Sequence, residues 1–161
     1  MIEDELQRAA AAVGTAAHSR GHTVAAAESV TAGSLATALA SAPEASEWFL
    51  GSVVAYATRT KRLVLGVEAE RIISAECAEQ LALGALELTG ADLAVGVTGV
   101  GGPDPEEDRP AGTVFICAAT RRRTRMFEHT FDGEPAEVVR LSTLHALRHL
   151  QGVAMDLHRG G

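Results

Sequence analysis

The chain has 161 residues, 47% apolar and 22% charged, which is the balance of one soluble globular domain able to bury a core. A formal charge of −7 argues against a broad basic surface, and so against tight sequence-independent binding to nucleic acid. Two cysteines, Cys77 and Cys117, cannot build a disulfide framework; the acidic start MIEDELQR lacks a signal-peptide pattern and no apolar run approaches a membrane span, so a cytoplasmic single domain over 1–161, with no membrane partner, is expected.

In chain order, Ile2 to His18 reads as an amphipathic helix, with Leu6, Ala9, Ala10, Val13 and Ala17 recurring at helical spacing and Gly21 beyond its end. Thr23 to Ala27 reads as a strand. Thr31 to Ala42 reads as a helix stopped by Pro43. Gly51 to Ala57 is a second strand, followed by a short helix from Thr58 to Leu65 that ends at Gly66. Ser74 to Thr89 is a longer helix, with Ser74 as N-cap and Gly90 past its end. Asp92 to Thr98 reads as a buried strand, and Gly99 to Ala111 as a Gly/Pro/acidic loop. Gly112 to Ala119 and Thr124 to Phe131 form a hairpin around Arg121–Arg123, a solvated tip. The last helix starts near Glu134 and runs past Leu150. Helices and strands alternate for two thirds of the chain. That order predicts an α/β fold, a three-layer α/β/α sandwich with a mixed sheet, whose ligands gather at the carboxyl ends of strands.

Three strand-end segments could carry chemistry. Ser29 lies between a strand and a helix, where a hydroxyl meets the unpaired amides of the helix start, suited to an oxyanion or a phosphate. Capping of that helix by Ser29 or Thr31 is the competing account. Glu28 reads as a strand-end carboxylate accepting backbone bonds. Lys61 is the only lysine among 14 basic residues. A desolvated lysine can be tuned to act as a base, which arginine cannot, and a Ser–Lys pair can activate a hydroxyl nucleophile. A solvated helix lysine is the plainer account. Tyr56, the only tyrosine, is either a wall residue or a proton relay. The loop Thr98-Gly99-Val100-Gly101-Gly102-Pro103-Asp104 could form an anion nest or an irregular surface loop, with Asp104, Glu106, Glu107 and Asp108 solvated and Arg109 at the surface. No metal site is expected: His145 and His149 sit four apart on the last helix but lack the glutamate of HExxH, which leaves them a surface or packing role. Trp48, Phe49 and Leu50 form an apolar cluster that either supports a homo-oligomer or covers the sheet.

Taken together, AAESVTAGSLATAL, GSVVAYATRTKRLVLGV and AVGVTGVGGPD…PAGTVFICA, in that order, resemble the C-terminal domain family of the competence/damage-inducible protein CinA, over about residues 5–150. Stand-alone members of that family are nicotinamide-nucleotide amidohydrolases. The resemblance implies an α/β/α domain that releases ammonia from the carboxamide of nicotinamide mononucleotide, a small-molecule nucleotide, with no cofactor. Ser29 matches the serine of the family's ESCTGG stretch, the expected nucleophile. Tyr56 and Lys61 match the Y-S-N-x-x-K segment, and Thr98, Gly99, Gly102, Pro103 and Asp104 match the [ST]-G-x-x-G-P-D loop. It thus implies catalytic roles for Ser29, Lys61 and Tyr56, and substrate contacts from Glu28, Thr31, Gly33, Thr58, Thr98, Gly99 and Gly102.

The chain departs from the family pattern at Val30 (usually Cys), Ala32 (usually Gly), Thr58 (Asn), Ala75 (often Glu) and Pro135, where the G-[DE]-R pattern has Arg. The departures at Val30, Thr58 and Pro135 motivate a second reading, a nucleotide-binding or interaction module of the same fold without turnover.

Overall fold

The computed structural model describes residues 2–157; residues 1 and 158–161, the ends of the expected domain, lie outside it. Eleven elements follow in order among the described residues: α1 Ile2–His18, β1 Val24–Glu28, α2 Ser34–Ala40, α3 Ala45–Trp48, β2 Phe49–Val54, α4 Thr58–Leu65, α5 Ala75–Thr89, β3 Leu93–Gly99, β4 Thr113–Thr120, β5 Thr124–Thr130 and α6 Pro135–Leu157. The five strands form one sheet in the order β2-β1-β3-β4-β5. β1 pairs in parallel with β2 and β3, and β3, β4 and β5 pair antiparallel. The sheet is mixed, as the alternating pattern predicts: helical crossovers build its parallel half, and a tight turn at Arg121–Arg123 builds the antiparallel hairpin.

Both faces of the sheet are covered. Strand side chains alternate with period two, so Val24 and Ala26 of β1 join Leu93, Val95 and Val97 of β3 on the face packed by α1, α2 and α6. Ala25 and Ala27 join Ala94, Phe115 and Cys117 on the face packed by α5. This is the expected three-layer α/β/α arrangement, and the all-buried β1 and β4 are what two covered faces require.

The largest shift from expectation lies after β1. Helix α2 starts at Ser34, three residues later than Thr31, because Ala32 and Gly33 adopt positive φ of 48° and 103°. The chain therefore makes a turn between strand and helix. Short helix α3 was not foreseen, and it seats Trp48 in the core, 1% exposed, with Nε1 donating to the Pro43 carbonyl at 3.1 Å. The apolar cluster Trp48–Leu50 is thus split. Trp48 and Phe49 pack into the core, and only Leu50, 47% exposed, remains outside. Strand β2 ends at Val54, earlier than Ala57: Ala55 is still buried and its N–H donates to the Glu28 carbonyl at 2.8 Å, and the exposed Tyr56 and Ala57 lead out into α4. Among the described residues, no helix is long and apolar enough to cross a membrane.

Candidate active site

The carboxyl ends of β1 and β3, the start of α4 and the start of α6 surround a cavity of about 470 Å³. Its wall includes Ser29, Val30, Tyr56, Thr58, Lys61, Gly99, Gly101 and Gly102. The structure therefore brings Ser29, Lys61, Tyr56, Thr58, Gly99 and Gly102 to one place, although they come from three separate segments. Parallel pairing of β1 with β2 and β3 explains this, because it points three strand ends the same way.

Ser29 follows β1 in a short turn. Its backbone N–H donates to the Val97 carbonyl at 3.1 Å, and its carbonyl accepts from Ala32 N–H at 3.1 Å, which fixes the residue without using its hydroxyl. Among the described residues, Ser29 Oγ has no hydrogen-bond partner, so neither Ser29 nor Thr31 caps α2. That task falls to Glu28. Its Oε1 accepts from Thr31 Oγ1, Gly33 N–H and Leu35 N–H, and its Oε2 from Ala36 N–H and Ser52 Oγ. One buried carboxylate thus satisfies the amides that a helix start leaves unpaired and complements the positive end of its dipole.

Four residues expected to touch substrate stand behind the cavity wall instead. Glu28 is fully buried and spends both oxygens on α2 and Ser52. Thr31 is 2% exposed and gives its hydroxyl to Glu28. Gly33 contributes its amide to the same carboxylate. Thr98 is fully buried and donates to the Ile72 carbonyl at 2.9 Å. The reason is shared: each lies on an inward-facing position whose polar group finds a protein partner, so these residues hold the site in shape.

Lys61 is 2% exposed, a rare state for an ammonium. Its Nζ donates to the Tyr56 carbonyl at 2.6 Å. Burial pushes its pKa below the ordinary lysine range, against the opposing pull of Cys77, Glu106 and Glu107. The solvated helix lysine is thereby overturned. Tyr56 contributes to this arrangement through its backbone, while its side chain lies 72% exposed at the rim. Burial also raises the Cys77 and Cys117 thiols, to about 11 and about 12, so both are inert core residues.

Backbone amides complete the wall. Among the described residues, the N–H groups of Val30, Gly101 and Gly102 donate to no protein acceptor, and all three residues line the cavity. Gly102 holds φ at +87°, a conformation side chains rarely adopt, and a Cβ at Gly99 would lie 2.6 Å from the Thr113 carbonyl oxygen. Such donors suit an oxyanion or a phosphate.

The structure adds residues that the sequence reading missed. Ile72, Ile73, Glu106, Glu107, Pro135 and Val139 also line the cavity. The acidic loop is not simply solvated. The Glu107 carboxylate accepts from the Ile72 and Ile73 amides, and Arg109 Nε donates to the Ile73 carbonyl at 3.1 Å while its guanidinium lies 4.9 Å over the Phe115 ring. These contacts pin the loop across the cavity floor. Asp104, Glu106, Glu107 and Asp108 form a local run, which reads as solvated charge until the sheet brings the 71–73 segment alongside.

Ala32 yields a direct test of this geometry. An alanine at φ 48° is held in the left-handed region at a cost of roughly 1–2 kcal/mol, part of which glycine returns as unfolded-chain entropy. Ala32→Gly is expected to stabilise the protein by about 0.5–1 kcal/mol, read as a higher urea midpoint at unchanged slope.

Comparison with known proteins agrees with this architecture. A family model described as the CinA C-terminal domain matches residues 6–154. A relative from Bacillus pumilus named for competence-damage induction is 40% identical over 135 residues, covering 81% of this chain and 32% of the relative. A similarly named relative from Streptococcus pyogenes is 42% identical over 141 residues, covering 84% of this chain and 33% of the relative. The chain therefore spans about one third of the length of these curated relatives. Among solved structures, a CinA superfamily protein from Klebsiella pneumoniae 700603 superposes with a TM-score of 0.88 at 31% identity, covering 92% of this chain and 97% of the other. A competence damage-inducible protein from another Klebsiella pneumoniae strain gives 0.87 at 34% identity, covering 91% and 95%.

Proposed function

The chain belongs to the CinA C-terminal domain family, and from that premise we propose that it is an amidohydrolase releasing ammonia from the carboxamide of nicotinamide mononucleotide. One observation carries the chemistry: a lysine 2% exposed, its pKa lowered by burial, lines the same cavity as a serine whose hydroxyl has no hydrogen-bond partner among the described residues. Neutral Lys61 takes the proton of Ser29 Oγ as that oxygen attacks the carboxamide carbon. The amides of Val30, Gly101 and Gly102 supply hydrogen bonds to the developing oxyanion. Lys61 then gives the proton to the departing nitrogen, the C–N bond breaks, and ammonia leaves an acyl ester on Ser29. Water, deprotonated by Lys61, hydrolyses the ester to the carboxylate nucleotide and restores the serine. Glu106 and Glu107 in the wall suit the cationic pyridinium ring. The amides at the start of α4, beside Thr58, suit the phosphate.

The experiment is an ammonia-release assay on nicotinamide mononucleotide, nicotinamide riboside and free nicotinamide, with the acid product identified. Stoichiometric ammonia and nicotinate mononucleotide are expected from the mononucleotide at the highest rate. Failure of every pyridine nucleotide to release ammonia overturns the proposal. Pro135 and Thr58 in the cavity wall favour a second reading, a nucleotide-binding module without turnover. Calorimetric binding of the mononucleotide without ammonia would select that second reading.

A further inference from the structure

We propose that His129, His145 and His149 form a binding site for a zinc-like divalent transition-metal ion that ties edge strand β5 to helix α6, apart from the catalytic cavity. The three histidines come from two elements. His129 shares the inward face of β5 with Phe127, since side chains alternate along a strand. His145 and His149 lie one turn apart on α6, so their rings project from the same side of that helix.

The geometry is close to what a metal demands. One ring nitrogen from each histidine lies within 4.8 Å of the other two. The Nε2 atoms of His129 and His149 are 2.8 Å apart, facing each other. Two imidazole nitrogens bound to one tetrahedral zinc, each at about 2.0–2.1 Å, stand roughly 3.3 Å apart. Binding therefore asks that pair to give up its direct hydrogen bond, open by about half an ångström and tilt both rings toward a common point, with His145 swinging inward. Aromatic packing already orients two of the rings: His149 stacks on Phe127 with centroids 3.5 Å apart, and His129 on Phe131 at 5.0 Å. A neutral imidazole has a free lone pair to offer a metal ion.

Three imidazoles without a thiolate or carboxylate match the preference of zinc, nickel or copper over magnesium or calcium. Three protein ligands leave a fourth position for water. All three residues are half-buried, which leaves a path for an ion. None lines the catalytic cavity, whose nearest α6 residue, Val139, lies about 9 Å along the helix axis from His145 at 1.5 Å rise per residue. The proposal is independent of the amidohydrolase reading.

Another group, His18 with Glu44 and Glu47, also falls within ligand range, but its carboxylates are exposed and its contacts of 3.1 and 3.8 Å are those of ordinary surface side chains. It serves as the internal control. Tag-free full-length protein, stripped with chelator, is titrated with zinc by calorimetry and with cobalt by visible absorption. One ion per chain is expected, with the ligand-field bands of a four-coordinate cobalt site. Zinc at 100-fold above its Kd should raise the thermal midpoint by ~5–10 °C. His145→Gln and His149→Gln should each weaken zinc binding at least ~100-fold, and His18→Ala should leave it unchanged. Should the Gln variants fold poorly, imidazole nitrogen resonances of wild-type protein give the same answer: zinc must shift three histidines including His129. Absence of binding to wild-type protein, or binding lost in His18→Ala and retained in the two Gln variants, overturns the proposal.

Discussion

Ser29→Ala is expected to lower ammonia release from nicotinamide mononucleotide by ~10⁴-fold or more, with the thermal midpoint within a few degrees of wild type. The fold should tolerate the change because Ser29 is held by backbone bonds to Val97 and Ala32, and its hydroxyl holds nothing among the described residues. Lys61→Met should cost a similar factor. Methionine fills the lysine's space, removes the base, and leaves only the Tyr56 carbonyl without its partner. The decisive result is the double variant. If serine and lysine act as one unit, removing both costs no more than removing either. Losses that multiply would sink the Ser–Lys pair even if each single variant were slow. Ammonia release by the wild-type protein should also rise with pH through a group whose pKa lies below the ordinary lysine value. Burial lowers the Lys61 pKa, and only its neutral form accepts the serine proton; the nearby carboxylates of Glu106 and Glu107 oppose that shift. This limb should be absent from whatever residual activity Lys61→Met retains.

Glu28→Ala carries the largest expected cost in stability, on the order of 4 kcal/mol. The carboxylate is fully buried and accepts five hydrogen bonds, from the amides of Gly33, Leu35 and Ala36 and the hydroxyls of Thr31 and Ser52. Alanine strands all five donors. Each unsatisfied buried donor costs about 1–3 kcal/mol, and water entering the space recovers part of the total. Glu28→Gln should cost less, roughly 2 kcal/mol, because the Ser52 hydroxyl can turn to accept while one amide is left facing an NH2 group. A urea series ranking wild type, Gln and Ala in that order supports this account. A Glu28→Ala protein within ~1 kcal/mol of wild type would show that the carboxylate does not organise the start of α2. The same substitution should slow catalysis through the backbone, since Ser29 is the next residue and its turn is shaped by that cap.

Residues 75–89 and 135–157 were readable from the chain because their information is local. Apolar residues at helical spacing, Ser74 accepting from Cys77 N–H, and Gly90 at positive φ all act within one or two turns. The three strand-end motifs were readable for a similar reason: a strand followed by small and polar residues marks a ligand-facing end wherever the strand lies in the sheet. The start of α2 was misjudged because two local solutions compete there. A serine or threonine cap and a turn through Ala32 and Gly33 fit the same letters, and a carboxylate that also reaches Ser52, 24 residues away, decides between them.

What the chain determined by itself was the order and type of its elements apart from the short α3, the mixed sheet, and the placement of Ser29 and Lys61 just past strand ends, because periodicity, capping and propensity operate over a few residues. What tertiary structure decided was the partner of each polar group. Sheet order and register buried Lys61 and turned Thr98 away from the cavity. They set Glu107 against Ile73 at a separation of 34 residues, and placed His129 against His149 at a separation of 20. Those pairings depend on which strands lie side by side and which faces meet, and desolvation then raises the energy of every polar group without a partner.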